Sequence, residues 1–146
     1  TIVTAGALVL FAFAATVVVR VADIPAAASP VAMRAAEHVQ AVASRDLRFI
    51  DRADGAVVIQ DADKGGTASV IEPGQQTGFI RGVMRGLARE RRMRGIGDGP
   101  PFNLTMWRDG ELSLTDSATG RSIELTAFGS SNRAAFAALL PKGPAA

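Results

Sequence analysis

Two stretches of this chain are written to one template, and that repetition limits the folds open to it. Leu47–Gln60 reads strand, Asp54-Gly55, strand; Phe102–Thr115 reads strand, Asp109-Gly110, strand. Each is followed by a second Asp-to-Gly turn, Asp61-Ala62-Asp63-Lys64-Gly65 and Asp116-Ser117-Ala118-Thr119-Gly120. Asp-Gly between alternating strands predicts a two-residue type I′ hairpin, which needs positive φ at both central positions. In the second turn Gly65 or Gly120 takes left-handed geometry, and Asp61 or Asp116 bonds to its own backbone. A third strand follows each, Thr67–Ile71 and Ser122–Leu125, and each half closes in a helix. The first helix runs over Thr77–Arg94. The second runs over Asn132–Leu140, capped by Ser130, Ser131 or Asn132 and stopped by Pro141. Two strand–strand–strand–helix halves predict a duplicated α+β domain with a small antiparallel sheet. Two copies are too few for a repeat array, and a coincidence of two hairpin texts is the alternative.

Alternation assigns the faces of the second half. Phe102, Leu104, Met106, Leu112, Leu114, Ile123 and Leu125 point inward; Arg108, Glu111, Ser113, Thr115 and Glu124 are left for water.

Ahead of these halves, no charged side chain occurs from Thr1 to Val19, and Arg20 is the first ionised group. A helix of that length approaches the ~30 Å hydrocarbon thickness of a bilayer at ~1.5 Å per residue. The expected organisation is a transmembrane helix over 1–22, a juxtamembrane linker over 23–45, an α+β domain over 46–141 and a tail over 142–146. Within the linker, Pro25 and Pro30 favour an extended start, and alanine content favours a short helix over Ala32–Ala43. A cleaved signal ending at Ala26–Ala28 is the competing reading; it would make the chain a secreted binding module.

The 146 residues carry a net charge of only +2, and Lys64 and Lys142 are the only lysines. The chain therefore lacks the cationic field of a nucleic-acid binder. With no cysteine, thiolate metal sites, iron–sulfur clusters and disulfides are excluded. His38 is the single histidine, and a lone histidine is more often a surface or partly buried side chain than a ligand. Gly95-Ile96-Gly97-Asp98-Gly99 follows a helix and precedes Pro100-Pro101, so it is a helix stop and not a phosphate loop. No nucleophile elbow or nucleotide motif is present. The chain thus reads as non-enzymatic, without cofactor or small-molecule substrate. A tethered enzyme would need a pocket gathering His38 with carboxylates and serine.

The first helix carries the most pointed pattern. Ile80, Val83, Met84 and Leu87 form one face, and Arg81, Arg85, Arg89 and Arg92 the opposite one. Gly82 and Gly86 lie between them at a cost of about 1 kcal/mol each relative to alanine, which implies close helix packing there. An exposed arginine stripe is either a solvated face or a docking surface. Guanidinium forks suit carboxylates and phosphates, so an acidic partner or lipid headgroups are the candidate ligands.

Two segments also carry a resemblance. One is Gly78-Phe79-Ile80-Arg81-Gly82-Val83-Met84-Arg85-Gly86-Leu87-Ala88-Arg89-Glu90-Arg91-Arg92. The other runs from Pro101-Phe102 through Trp107, Asp109-Gly110, Leu112-Ser113-Leu114, Asp116, Thr119-Gly120-Arg121 and Ala127-Phe128-Gly129 to Asn132-Arg133-Ala134-Ala135-Phe136. Together they resemble the PuhC family, photosynthetic complex assembly proteins of purple phototrophic bacteria. The resemblance implies a single-pass protein of the inner (intracytoplasmic) membrane with its domain periplasmic. It also implies partners among reaction-centre and light-harvesting 1 subunits and membrane lipids, and no catalytic residues.

Overall fold

The computed structural model describes residues 29–74 and 78–141. The expected membrane helix over 1–22 lies outside the described residues, as does the tail over 142–146. Among the described residues, no helix is long and apolar enough to cross a membrane. The chain divides into two compact units, Thr1–Met33 and Arg34–Ala146. Of the first, residues 29–33 are described. They begin helix α1 (Pro30–Ala36), where the Ala32 N–H donates to Ser29 Oγ at 3.2 Å and Pro30 takes the first helical position.

The second unit is a six-stranded antiparallel sheet in the order β3-β2-β1-β4-β5-β6, with helices against one face. Its strands are β1 (Ala41–Asp51), β2 (Val57–Asp61), β3 (Thr67–Ile71), β4 (Phe102–Trp107), β5 (Leu112–Asp116) and β6 (Ser122–Glu124). Helix α2 (Gly78–Met93) follows β3; a 3₁₀ turn (Leu125–Phe128) and helix α3 (Ser130–Ala137) follow β6. The two expected halves are present, side by side, with β1 and β4 at the centre.

The halves match bond for bond at a spacing of 55 positions, as between Asp61 and Asp116. Arg52 N–H donates to Ala56 O at 2.8 Å, and Trp107 N–H to Glu111 O at 2.9 Å. Asp61 N–H donates to Gly66 O at 2.7 Å, and Asp116 N–H to Arg121 O at 2.8 Å. Ala62 N–H reaches Asp46 O, and Ser117 N–H reaches Pro101 O, at the same relative places. Leu47 faces Phe102 across the central ladder, so the local two-fold relation passes between these two side chains.

Several local expectations are corrected. The Asp-Gly hairpins are not type I′, because only Gly55 (φ 89°) and Gly110 (φ 86°) have positive φ there; Asp54 and Asp109 do not. Each is a three-residue loop in which a glycine N–H returns to Arg52 O or Trp107 O at the end of the turn. The aspartates favour this form by accepting the N–H two residues on, Ala56 at 3.1 Å and Glu111 at 3.0 Å. The linker helix is Pro30–Ala36 and not Ala32–Ala43. It stops where His38 adopts φ 53°, with Val39 N–H bonded to Arg34 O at 3.0 Å and His38 N–H to Ala35 O at 3.3 Å. From Ala41 the chain is already strand, since its pairing with β4 outweighs alanine's helical preference. Gly129 (φ 95°) precedes helix α3 as its N-cap with no side-chain cap bond; Asn132 Nδ2 instead donates to Phe128 O at 2.8 Å.

The helix-side core contains Leu47, Ile59, Leu104, Leu112, Leu114, Leu125 and Phe136, all fully buried. Phe79 of α2 meets Phe136 of α3 edge-on, with ring centroids 5.8 Å apart. The opposite face is less wet than alternation predicts. Ser113 is buried and accepts from Trp107 Nε1 at 2.9 Å. Glu124 pairs with Arg34, whose guanidinium lies 4.8 Å from the Trp107 ring centroid. Ser44, Asn103, Thr105 and Asp46 are joined by side-chain hydrogen bonds on the same face.

Two arginine–aspartate pairs fasten the helices to the sheet. Arg91 Nε and Nη2 donate to the two Asp116 carboxylate oxygens at 2.8 and 2.6 Å. Arg91 is 2% exposed and Asp116 0%, and the guanidinium stacks 3.9 Å from the Phe102 ring centroid. In the other half Arg45 Nε donates to Asp61 at 2.8 Å, and its Nη1 reaches Leu139 O beyond α3 at 3.1 Å. Burial pushes the Asp116 carboxyl upward, but the Arg91 bonds and the Ala118 N–H outweigh it and hold the group below the usual range. The Lys64 N–H, then Arg45, hold Asp61 low.

Breaking a buried pair by removing one partner strands the other charge. Asp116→Ala is therefore expected to cost about 3–5 kcal/mol in urea unfolding, and the double change Arg91→Met with Asp116→Leu much less. Both aspartates are depressed in the folded state, so the unfolded chain binds more protons in acid. Stability is expected to be full above about pH 4 and to fall as pH drops through the folded values. A pH series of urea midpoints, flattened at the acid end in Asp116→Asn, checks this.

Candidate docking face and groove

Helix α2 presents its apolar side to the sheet through Ile80, Met84 and Leu87, and Arg91 continues that line one turn on. Arg91 lies outside the expected arginine stripe. Its spacing from Ile80, Met84 and Leu87 was the available signal, since an arginine on the inward face needs a buried carboxylate. The helix ends as expected: Gly95 has φ 70°, Ile96 N–H bonds to Arg91 O at 2.8 Å and Gly95 N–H to Arg92 O at 3.1 Å.

The four arginines assigned to the outer face divide into two kinds. Arg81 is half-buried and donates to Gly55 O at 3.1 Å and Glu72 O at 3.3 Å, tying α2 to the β1–β2 turn and the end of β3. Arg85, Arg89 and Arg92 are exposed and make no hydrogen bond or ion pair among the described residues. Glu90 is taken by Arg94, at 3.0 Å. The face therefore keeps three free guanidinium groups in a row, on a helix anchored from beneath by Arg91.

Gly82 and Gly86 are exposed, and a Cβ added at either meets nothing within 4 Å. The close packing that the sequence implied at these glycines has no counterpart among the described residues.

Beside α2 lies a groove of about 490 Å³ between the helix, the end of β1 and the 96–98 loop. Phe49, Met84, Ala88 and Phe102 supply apolar lining, and Arg81, Arg85 and Arg92 stand along the helix side. Asp51 and Asp98 are its carboxylates; neither His38 nor any serine lines it. The gathering of histidine, carboxylate and serine needed for a hydrolytic site does not occur in this groove. His38 is exposed in the turn after α1, and no group of three metal-ligating side chains occurs among the described residues.

The pattern that sets this geometry is shared. A family model described as photosynthetic complex reorganisation protein PuhC matches residues 42–143. The chain belongs to the PuhC family. A Rhodobacter capsulatus protein, named an uncharacterized 17.4 kDa protein in the puhA 5′ region, is 34% identical over 95 residues. That match takes in 60% of this chain and 58% of the relative's own length, so less than two thirds of the relative is represented. No solved structure matches. The family description connects the chain with the organisation of the photosynthetic complex, and the PuhC match contains the whole sheet from Val42 onward together with α2 and α3.

Because Gly82 and Gly86 sit on an open helix surface, Gly82→Ala and Gly86→Ala are each expected to stabilise the fold by about 0.5–1 kcal/mol. Thermal unfolding of the two single variants measures this.

Proposed function

We propose that this PuhC-family chain is a non-enzymatic, membrane-anchored accessory subunit that docks on the periplasmic side of the reaction-centre–light-harvesting 1 complex. One observation carries the reading: three unpaired arginines stand in a row on a helix clamped from beneath, in a chain whose family is named for reorganising photosynthetic complexes. Free guanidinium groups carried on an anchored helix favour carboxylates or phospholipid headgroups at such a surface. The uncharged Thr1–Val19 run supports anchoring in the inner membrane beside that complex. Small residues in that run, Ala5, Gly6, Ala12 and Ala15, suit close packing against other membrane helices.

Arg81 holds the domain together and is left intact in the test. Replacing Arg85, Arg89 and Arg92 with glutamine is expected to lower co-purification with the core complex in mild detergent. Added salt should do the same to the unaltered chain. Retention of the triple variant at low salt would remove the arginine face from the interface. Resistance of the chain to carbonate extraction from vesicles checks the anchor separately.

A further inference from the structure

The local two-fold relation between the halves is broken in the central ladder, and the groove lies there. Asp46, Arg45 and Ser44 pair with Asn103, Leu104 and Thr105 on one side of the Leu47–Phe102 pair. The symmetric partners would be Arg48, Phe49 and Ile50 with Pro101, Pro100 and Gly99, and none of these pairs forms. Pro100 and Pro101 have no N–H to give a ladder, so β4 begins only at Phe102. Among the described residues, β1 runs on to Asp51 with no strand paired to it on that side; Arg48 Nε crosses to Gly99 O at 2.6 Å.

Alternation says which backbone groups are left. Arg52 N–H bonds to Ala56 O, and Asp46 O accepts from Ala62 N–H, so the even-numbered residues of β1 turn their backbone toward β2. Phe49 and Asp51 turn theirs the other way, toward the missing partner. Both residues line the groove, and neither has a loop backbone bond among the described residues. An open stretch of strand edge thus forms one wall of an apolar groove, with arginines on the facing helix.

We propose that this groove takes an extended segment of a partner polypeptide, which adds as a short strand to the Phe49–Asp51 edge of β1 and directs a carboxylate to Arg85 and Arg92. Strand addition supplies the N–H groups that Pro100 and Pro101 lack, at the ~4.8 Å spacing of a sheet. The charge of the lining favours an acidic segment. Arg91 is neutralised by Asp116, which leaves Arg81, Arg85 and Arg92 against Asp51 and Asp98. The backbone edge favours a peptide over a lipid, whose acyl chain satisfies no amide. The proposal deepens the docking reading by giving the form of what is bound.

The test measures peptide capture by the full chain without the core complex, so its outcome is separate from co-purification. The probe is a synthetic peptide of about eight residues, with threonine at every second position and valine and glutamate alternating between them. Binding is expected to slow hydrogen exchange of the Phe49 and Asp51 amides. N-methylation of every second peptide bond should weaken it about tenfold in one register and much less in the other. Arg85→Gln with Arg92→Gln should weaken it by a similar factor, Ala88→Trp should block it, and Arg121→Gln on the remote β5–β6 turn should leave it unchanged. Equal affinity for both N-methylated peptides, or no protection at Phe49 and Asp51, would overturn strand addition. Capture of phosphatidylglycerol vesicles in place of the peptide, lost on the same arginine changes, would assign the groove to lipid and overturn it as well.

Discussion

A guanidinium with almost no access to water, bonded through two nitrogens to an equally buried carboxylate, holds this domain in register. Arg91 and Asp116 join the end of α2 to the end of β5, and Phe102 at the centre of the sheet stacks on the same arginine. Such a pair is not a strong source of stability, because the desolvation of both ions offsets much of their attraction. What it supplies is position. Helix α2 cannot slide or roll without stranding a charge, so the helix face that carries Arg85, Arg89 and Arg92 keeps its direction. Arg45 with Asp61 and Leu139 O performs the corresponding task for the end of α3.

The duplication explains both the regularity and the exception. Each half folds its Asp-to-Gly turns in the same way, because an aspartate carboxylate bonding nearby N–H groups is a local device that needs only the local sequence. The two helices are tied down by arginines at non-equivalent positions, one on a strand and one on a helix, so the halves differ where they meet. The largest difference is the Gly97-Asp98-Gly99-Pro100-Pro101 approach to β4, which stands where the first half has the start of β1. Proline there ends the central ladder and leaves an open edge beside the basic helix. The groove is a consequence of symmetry kept in the turns and lost in one connection.

Much of this was legible from residues. The two halves, the six strands, the boundaries of α2 and the stop at Gly95 follow from alternation, heptad-like spacing and glycine placement. The hairpin type does not follow from the sequence, because Asp-Gly suits two turn geometries and the choice depends on the length of loop that keeps the strands in register. The Ala41–Ser44 extension of β1 was missed because small residues carry no periodic signal; only pairing with β4 makes them a strand. Glu124 and Ser113 were assigned to water because period-two alternation cannot tell solvent from a covering Arg34 and Trp107. The basic face was found, but Arg81 was grouped with residues that it does not resemble in use.

By itself the sequence determined the order of strands and helix in each half, the places of the repeated turns and the basic face, since these depend on neighbours within a few positions along the chain. Only the tertiary structure decided which arginine is an anchor, which are free and where the sheet is left unpaired. Those outcomes depend on groups far apart in sequence, such as Arg91 with Asp116 and Leu47 with Phe102, where the central ladder ends. Their energies come from burial and backbone pairing, which no local pattern encodes.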